Sequence, residues 1–130
     1  MNWHFQDGSP IYTQLIGQIR QGIVSGAFRP GERLPSVRDL ATEAGVNPNT
    51  MQRAFAELER DGLVYSQRTA GRFVTEDRAM IEQTKKGLAE CHIKQFLESM
   101  NQLGFQRDEV ISLLRQETGK EGNTDGSSGM

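Results

Sequence analysis

The sequence contains a single cysteine, Cys91, in 130 residues, and apolar side chains make up only 35% of it. One cysteine cannot form an internal disulfide, so the sequence predicts a protein of a reducing compartment, the cytoplasm. No apolar run approaches the roughly 20 residues that span a bilayer, and no signal-peptide pattern is visible. The length favours one compact domain with a short appendage and excludes large two-lobed enzymes. The low apolar content predicts that part of the chain is exposed, disordered or buried only against a partner.

Lysine is absent from residues 1–75, where eight arginines supply all the positive charge. Seven acidic residues leave this part with a net charge of +1, whereas residues 76–130 carry −3. Arginine presents a planar fork of donors that fits phosphates and guanine edges, whereas lysine is a point charge. The total charge of −2 argues against a nucleic-acid partner. Its uneven distribution keeps such a partner open for the N-terminal part.

Signals of catalysis and of cofactor binding are also scarce. The chain has no G-x-G-x-x-G, no Walker loop, no nucleophile elbow and no CxxC. His4 and His92 lie far apart in sequence. Cys91 and His92 are neighbours on a predicted helix, so their side chains diverge by about 100° and make no metal pair. We therefore predict no enzymatic activity, no metal site and no cofactor.

Residues 1–8 are predicted to form an extended, flexible arm, and a helix follows it. Ser9 has the residue type of an N-cap and Pro10 that of a first helical position. Apolar residues then recur at every third or fourth position. We expect Gly26 to end this helix.

Two short helices follow, and they have the sequence form of a helix-turn-helix. Ser36 with Asp39 three residues later is a capping-box pattern that opens the first of them. Asn47 and Pro48 are a good N-cap and a good first residue for the second. About three residues that include Gly45 join the two helices, as in a helix-turn-helix.

Two β-rich runs come next, at residues 63–66 and 72–75. The polar connection between them contains a glycine, which predicts a β-hairpin. A helix-turn-helix followed directly by a hairpin is a winged helix. The predicted fold is therefore mainly α with a small β wing.

The outward face of the third predicted helix carries the side chains that read DNA. Apolar residues at i, i+3, i+4 and i+7 from Met51 set its buried face. At 100° per residue, Asn49 and Arg53 point the opposite way, with Gln52 beside them. Asn or Gln pairs with adenine edges and Arg with guanine, so this acid-free face is typical of a recognition helix. A merely solvated amphipathic face is the alternative.

Three further arginines are candidates for the same surface. Arg38 lies in the first turn of the second predicted helix, where it can bond a phosphate. The alternative is a salt bridge to a nearby acid such as Glu32 or Glu43. Arg68 and Arg72 flank the tip of the predicted hairpin, which can enter a minor groove or lie on phosphates. An ordinary exposed turn is the alternative for that tip.

Two more helices are predicted after the hairpin, the first stopping at Gly104. About 40 residues cannot bury two apolar faces by themselves. Helix-turn-helix proteins usually pair so that two recognition helices meet successive major grooves. We therefore predict a homodimer through residues 79–117. The predicted organisation is a winged helix-turn-helix domain over 1–75, a two-helix dimerisation region over 76–118 and a disordered tail over 119–130.

Four stretches form a family pattern: Pro10-Ile11-Tyr12, PGERLPSVRDLA at 30–41, GVNPNTMQRAF at 45–55 and Gly62-Leu63-Val64. With them, residues 10–75 resemble, nearly continuously, the N-terminal domain of GntR-family bacterial transcription regulators. The segment NPNT at 47–50 and the short two-helix C-terminus resemble the YtrA subfamily, since other subfamilies carry much larger effector domains.

The resemblance implies a winged-helix dimer that binds an operator with two-fold symmetry, usually as a repressor. YtrA-like members often control neighbouring transporter operons. The family's DNA-contacting positions correspond to Ser36, Arg38, Asn47, Asn49, Thr50, Gln52, Arg68 and Gly71. Arg53 is added from the helical phase alone. Many relatives have arginine where this chain has Pro48 and Gln52.

The sequence therefore predicts a sequence-specific, DNA-binding transcription regulator. The alternative is a winged helix used as a protein-interaction module, but the polar face of the third helix lacks the aromatic anchors of protein hot spots. An enzyme would need an acid–base set that the chain does not offer. The sequence identifies no small-molecule effector.

Overall fold

The structure, a computed structural model, describes residues 1–125 and the side chains of residues 1–119. Over these residues it has five helices and one two-stranded antiparallel sheet, so the predicted fold class is confirmed. In chain order the elements are α1 (Ile11–Val24), α2 (Val37–Ala44), α3 (Pro48–Arg60), β1 (Val64–Gln67), β2 (Gly71–Val74), α4 (Arg78–Gln102) and α5 (Arg107–Asp125). The chain forms two compact units, Met1–Lys86 and Gly87–Met130.

Helix α1 begins one residue later than predicted. Pro10 has an extended backbone, with φ −61° and ψ 142°, and precedes the helix without a side-chain cap bond. Ser9 is therefore not the N-cap. Its carbonyl instead accepts a hydrogen bond of 3.0 Å from the side chain of Gln14.

Helices α2 and α3 form the predicted helix-turn-helix. The Ser36 hydroxyl caps α2 by accepting a 3.0 Å hydrogen bond from the Asp39 amide. Gly45 follows α2 with φ +73°, a left-handed conformation that glycine adopts without strain. Asn47 caps α3, and Pro48 is its first residue, as predicted.

The hairpin of β1 and β2 is the wing. Val64 pairs with Val74 at its base and Gln67 with Gly71 at its tip. Strand β1 therefore lies one residue later, and β2 one residue earlier, than predicted. The outer edge of β2 is covered by the segment after α1. The Leu34 amide donates to the Arg72 carbonyl at 2.8 Å, and the Gly31 amide to the Val74 carbonyl at 3.0 Å. These bonds hold the wing against the rest of the first unit.

The core of the first unit lies between α1, α2, α3 and the wing. Phe55 and Leu15 are fully buried in it. Ile81, from the first turn of α4, belongs to the same core, and Met80 packs against it. The first unit therefore runs to Lys86, past the boundary expected at residue 75, because the start of α4 supplies part of its core.

The N-terminal arm is docked on α1, whereas the sequence predicts a flexible arm. The Gln18 side chain accepts from the His4 amide (3.2 Å) and donates to its carbonyl (2.6 Å). The Gln14 side chain does the same with Gln6, at 2.8 and 2.9 Å. Residues two apart in an extended chain and four apart in a helix are separated by similar distances, about 6.7 and 6 Å. The two glutamines therefore act as a strand partner for the arm.

The alternate side chains of the arm face the core. Trp3 and Phe5 are half-buried, and their rings stack with centroids 6.1 Å apart. The Trp3 indole N–H donates to a Glu43 carboxylate oxygen on α2 at 2.8 Å. Trp3 and Phe5 therefore join the core that α1 contributes to, and the indole also bonds α2.

In the second unit, α4 and α5 are separated by Gly104, whose φ is +99°. The predicted break of the helix at this residue is confirmed. Among residues 87–119, Val110 alone is buried, at 2% exposure. The large apolar residues exposed on this unit are Ile93, Phe96, Leu103, Ile111 and Leu114. A single copy therefore leaves most of these predicted apolar faces in contact with water, and the exposed residues among them on α4, namely Ile93, Phe96 and Leu103, form the apolar stripe of this helix.

Helix α5 continues to Asp125, so residues 119–125 are helical where the sequence predicts a disordered tail. No proline interrupts this stretch, and each residue that extends an existing helix adds one backbone hydrogen bond. Residues 126–130 lie outside the described residues, and a tail there stays a prediction. None of the helices within residues 1–125 is long and apolar enough to cross a membrane.

Candidate nucleic-acid interface

The outward face at the start of α3 carries four of the predicted site residues. Asn49, Gln52 and Arg53 are exposed, and Thr50 is half-buried. The rotation of the helix is fixed by the opposite face, where Met51 is fully buried. The first turn of α3 contains no acidic residue. An anionic ligand therefore meets amide, hydroxyl and guanidinium groups and no carboxylate on this part of the helix.

Two predicted site residues also cap the helices that carry the surface. The Asn47 side-chain oxygen accepts from the Asn49 amide at 2.7 Å. Its NH₂ group remains free to donate. The Ser36 oxygen accepts from the Asp39 amide at 3.0 Å, which leaves the hydroxyl proton free to donate. Each side chain thus orders its helix and keeps a donor for a ligand.

Arg38 is exposed in the first turn of α2 and contacts no acidic residue in the described part of the chain. Both acids considered as its partners are engaged elsewhere. Glu32 accepts from the Arg29 amide at 2.7 Å, and Glu43 accepts from Trp3. The salt-bridge alternative for Arg38 is therefore wrong, and its guanidinium faces solvent.

At the tip of the wing, Gly71 lies next to Arg33, a cation that the sequence patterns do not single out. Arg68 is exposed in the turn between β1 and β2. Gly71 has φ +105°, and a Cβ there would lie 3.2 Å from Nε of Arg33. Arg33 pairs with Phe73 of β2 through an isolated β-bridge. The sequence signal that could have identified Arg33 is its place in an extended stretch that follows the Pro30-Gly31 turn.

Arg72 does not belong to the exposed tip, contrary to the expectation for it. Its Nε donates to a Glu59 carboxylate oxygen at 2.7 Å, and the side chain is 25% exposed. Its guanidinium carbon also lies 5.6 Å from the centre of the Phe55 ring. Tyr65 and Phe73 stack on each other across the two strands. Arg72 turns towards α3 because a half-buried carboxylate is a stronger partner for it than water.

The Glu59 carboxylate is the point where α3 holds the wing. It also accepts a hydrogen bond from the Ser66 hydroxyl of β1. Partial burial alone would raise the pKa of Glu59, but the hydrogen bonds from Ser66 and Arg72 and the positive charge of Arg72 outweigh it. The pKa of Glu59 therefore lies below its ordinary value. The carboxylate is charged at neutral pH and ties both strands to α3.

The other acids near the C-terminal end of α3 are paired with arginines as well. Glu57 bonds Arg60, and Asp61 bonds Arg20 of α1 at 2.6 Å. Their negative charges are therefore largely compensated within the protein. Among the residues whose side chains the structure describes, no carboxylate compensates the positive charge on Arg38, Arg53 and Arg68 in this way.

Arg53, unlike Arg38 and Arg68, contacts an aromatic ring in the described structure. Its guanidinium carbon lies 4.5 Å from the centre of the Tyr12 ring on α1. This is within the distance of a cation–π contact. Tyr12 is half-buried, and α1 packs against α3. The sequence singles out Tyr12 only as part of the family pattern Pro10-Ile11-Tyr12, with no role at the interface.

No group of three or more His, Cys, Asp or Glu side chains within the described range is placed to hold a metal ion. The predicted residues instead lie on α2, α3 and the hairpin, and α3 packs against α2 and β1. The fold and this surface define a winged-helix DNA-binding transcription regulator. The family model for bacterial regulatory proteins of the gntR family matches residues 11–74.

The chain belongs to the GntR family of bacterial transcription regulators, and its relatives agree along most of its length. The uncharacterized HTH-type transcriptional regulator YhcF of Bacillus subtilis (strain 168) is 36% identical over 115 residues, which are 88% of this chain and 95% of YhcF. The HTH-type transcriptional repressor YtrA of the same strain is 30% identical over 112 residues, 85% of this chain and 86% of YtrA. The chain is therefore a YtrA-like member, and its relatives are regulators, not enzymes.

Solved structures give the same answer. A GntR family transcriptional regulator from Listeria monocytogenes superposes with a TM-score of 0.80 and 39% identity, covering 86% of this chain and 98% of that one. The DNA-binding domain of AraR in complex with operator ORX1 has a TM-score of 0.53 and 29% identity, covering 58% of this chain and 96% of that one. The first unit thus shares its fold with a domain solved on operator DNA.

Proposed function

We propose that this protein represses transcription by binding an inverted-repeat operator as a homodimer. The observation that carries the proposal is the uncompensated arginine at the start of α2 beside an acid-free first turn of α3. Arg38 contacts no protein acid in the described range, and α3 begins with no carboxylate. A protein that leaves such groups unpaired on two packed helices presents them to an anion. The repressor role draws support from YtrA, which is named a repressor.

In this proposal the site residues divide the work of recognition. Asn49 and Gln52 are exposed on α3 and read base edges in the major groove. Arg38 and the Ser36 hydroxyl bind phosphates at the start of α2. Arg68 at the wing tip meets the backbone or the minor groove beside it. The remaining members of the set are Asn47, Thr50, Arg53 and Gly71, with Arg53 treated separately below.

The homodimer forms through residues 79–117 in this proposal. The supporting observation is the exposure of large apolar residues in the second unit: Ile93 is 55% exposed, Phe96 40% and Leu103 73%. Such side chains at helical spacing need a partner, and a second copy presents the same stripe. Two copies also double the number of phosphate contacts, which strengthens binding by a protein of low net positive charge.

The setting of this activity is the cytoplasm, where the operator lies. The genes controlled are a transporter operon in this proposal, as the resemblance to the YtrA subfamily implies.

Selection from a pool of random duplexes tests the proposal. The full chain is incubated with the pool, and the bound DNA is amplified and sequenced over several rounds. We expect an enriched inverted repeat whose half-sites are centred about one helical turn, or a multiple of it, apart. Enrichment of a single half-site would contradict the dimer. No enrichment, with retention that does not fall as salt rises, would favour a protein-interaction module.

A further inference from the structure

We infer that Tyr12 of α1 is a positioning residue of the DNA interface, which holds the Arg53 guanidinium as a preset donor for a backbone phosphate. The inference rests on the proposed function and deepens it. It changes the role expected for Arg53 from the helical phase, which was to read a guanine. It also brings α1 into a surface that so far consists of α2, α3 and the wing.

The geometry separates Arg53 from Arg60 of the same helix and from Arg72 of the wing. Arg60 and Arg72 each donate to a carboxylate. Arg53 has no carboxylate partner in the described part of the chain and lies over the Tyr12 ring at 4.5 Å. Stacking engages the flat face of a guanidinium and leaves the N–H groups at its edge free. Arg53 is therefore held in place while its hydrogen-bonding capacity remains unused.

The position of the ring indicates what those donors meet. Tyr12 belongs to α1, which packs beside α3, so its ring draws Arg53 towards the flank of the recognition helix. Asn49 and Gln52 remain on the exposed face near the start of α3. The edges of a major groove are lined by phosphates, and its floor by base edges. A guanidinium tied to the neighbouring helix is thus placed for a phosphate.

The Tyr12 ring contributes to affinity because it holds the Arg53 side chain in place before DNA binds. A free arginine side chain loses rotamer freedom when it binds, whereas one already stacked loses less. Tyr12 itself need not touch DNA for this effect. The contribution of Tyr12 should therefore disappear when Arg53 is absent, which a purely structural role of the tyrosine would not produce.

The test uses the full chain and a duplex obtained by selection, with Kd measured over a salt series. Arg53→Ala should weaken binding about ten-fold. It should also lower the slope of log Kd against log salt by about one, equally for the selected and a scrambled duplex. Tyr12→Leu should weaken binding about two- to five-fold, and Tyr12→Phe, which keeps the ring, should bind like the wild type. Added to Arg53→Ala, Tyr12→Leu should have no further effect.

Three outcomes would overturn the inference while the proposed function stands. They are wild-type binding by Arg53→Ala, loss of discrimination at one base pair by that variant, and an equal loss in Tyr12→Phe and Tyr12→Leu. A further loss from Tyr12→Leu in the Arg53→Ala background would make its role structural and overturn it as well. Thermal unfolding of each variant checks that the fold is kept. If the wild type binds no duplex, the proposed function fails, and this inference fails with it.

Discussion

Nε of Arg72 lies 2.7 Å from a carboxylate oxygen of Glu59, and this contact joins the second strand of the wing to the last turn of α3. Ser66 on the first strand bonds the same carboxylate. One side chain of the recognition helix therefore holds both strands. Because the wing tip and the helix must meet DNA together, we expect this contact to set the wing's orientation.

Replacing Glu59 with glutamine should destabilise the protein by about 1 kcal/mol at neutral pH, because the charged hydrogen bonds of the carboxylate are lost. The folded-state pKa of Glu59 is lowered, so its contribution is complete above the pKa of an unfolded glutamate. It is lost as the pH falls through the lower pKa of the folded protein. Urea unfolding of wild type and Glu59→Gln at several pH values measures this difference. Glu57→Gln is the matched control, and its partner Arg60 is largely exposed. An effect of Glu59→Gln that is independent of pH would contradict the account.

Two glycines should respond to alanine in opposite directions. Gly17 lies inside α1, and beyond its chain neighbours and the helix's own backbone no atom lies within 4 Å of an added Cβ, so Gly17→Ala should stabilise by about 0.5–1 kcal/mol. Gly71 has φ +105°, so Gly71→Ala should destabilise by about 1–3 kcal/mol. Chemical denaturation of the two variants measures both values. Equal effects of the same sign would show that the backbone at the wing is not as described.

The docking of the N-terminal arm depends on glutamine side chains. Gln14→Ala removes three hydrogen bonds to the backbone of the arm and of Ser9. Amide exchange at Gln6 should therefore become faster, and the protein should lose about 1–2 kcal/mol of stability. Gln21→Ala on the same helix is the control, since the Gln21 side chain bonds no arm residue among those described. Unchanged exchange at Gln6 in Gln14→Ala would refute a docked arm.

The proposed dimer gives a prediction for α4. Phe96→Glu places a charge in the exposed apolar stripe and should convert the dimer to a monomer, since a buried unpaired carboxylate is strongly unfavourable. Gln95→Glu adds the same charge away from the stripe and should leave the dimer intact. Light scattering of the eluted protein gives the mass of each variant. A dimeric Phe96→Glu at micromolar concentration would place the interface elsewhere.

Most of the first unit could be predicted from local signals. Caps such as Ser36 and Asn47 depend on neighbours within three residues, so their types and spacing reveal the helices. The docked arm could not be predicted, because Gln14 lies 8 residues from Gln6 and Gln18 lies 14 residues from His4, and glutamines on a helix surface have no distinctive pattern. The helix over residues 119–125 could not be predicted, because a stretch with no apolar face to bury lacks the periodicity that indicates a helix.

The sequence predicts which residues form the candidate site more fully than it predicts the role of each residue. Arg72 has the same residue type as Arg68 and lies as near the turn. The strand register directs the Arg72 side chain towards Glu59, 13 residues away. No sequence pattern predicts a strand register with an accuracy of one residue. The Arg53–Tyr12 contact likewise joins two helices that are far apart in sequence.

Binding of a selected operator by Arg38→Ala, compared with Arg29→Ala across a salt series, tests the central claim most directly. Arg29 is also exposed, but it precedes Gly31, which pairs with Val74 at the base of the wing, opposite the tip. The account predicts a loss of about 1–3 kcal/mol and a shallower salt dependence for Arg38→Ala, with little change for Arg29→Ala. Undiminished binding by Arg38→Ala, or equal losses in both variants, would contradict it.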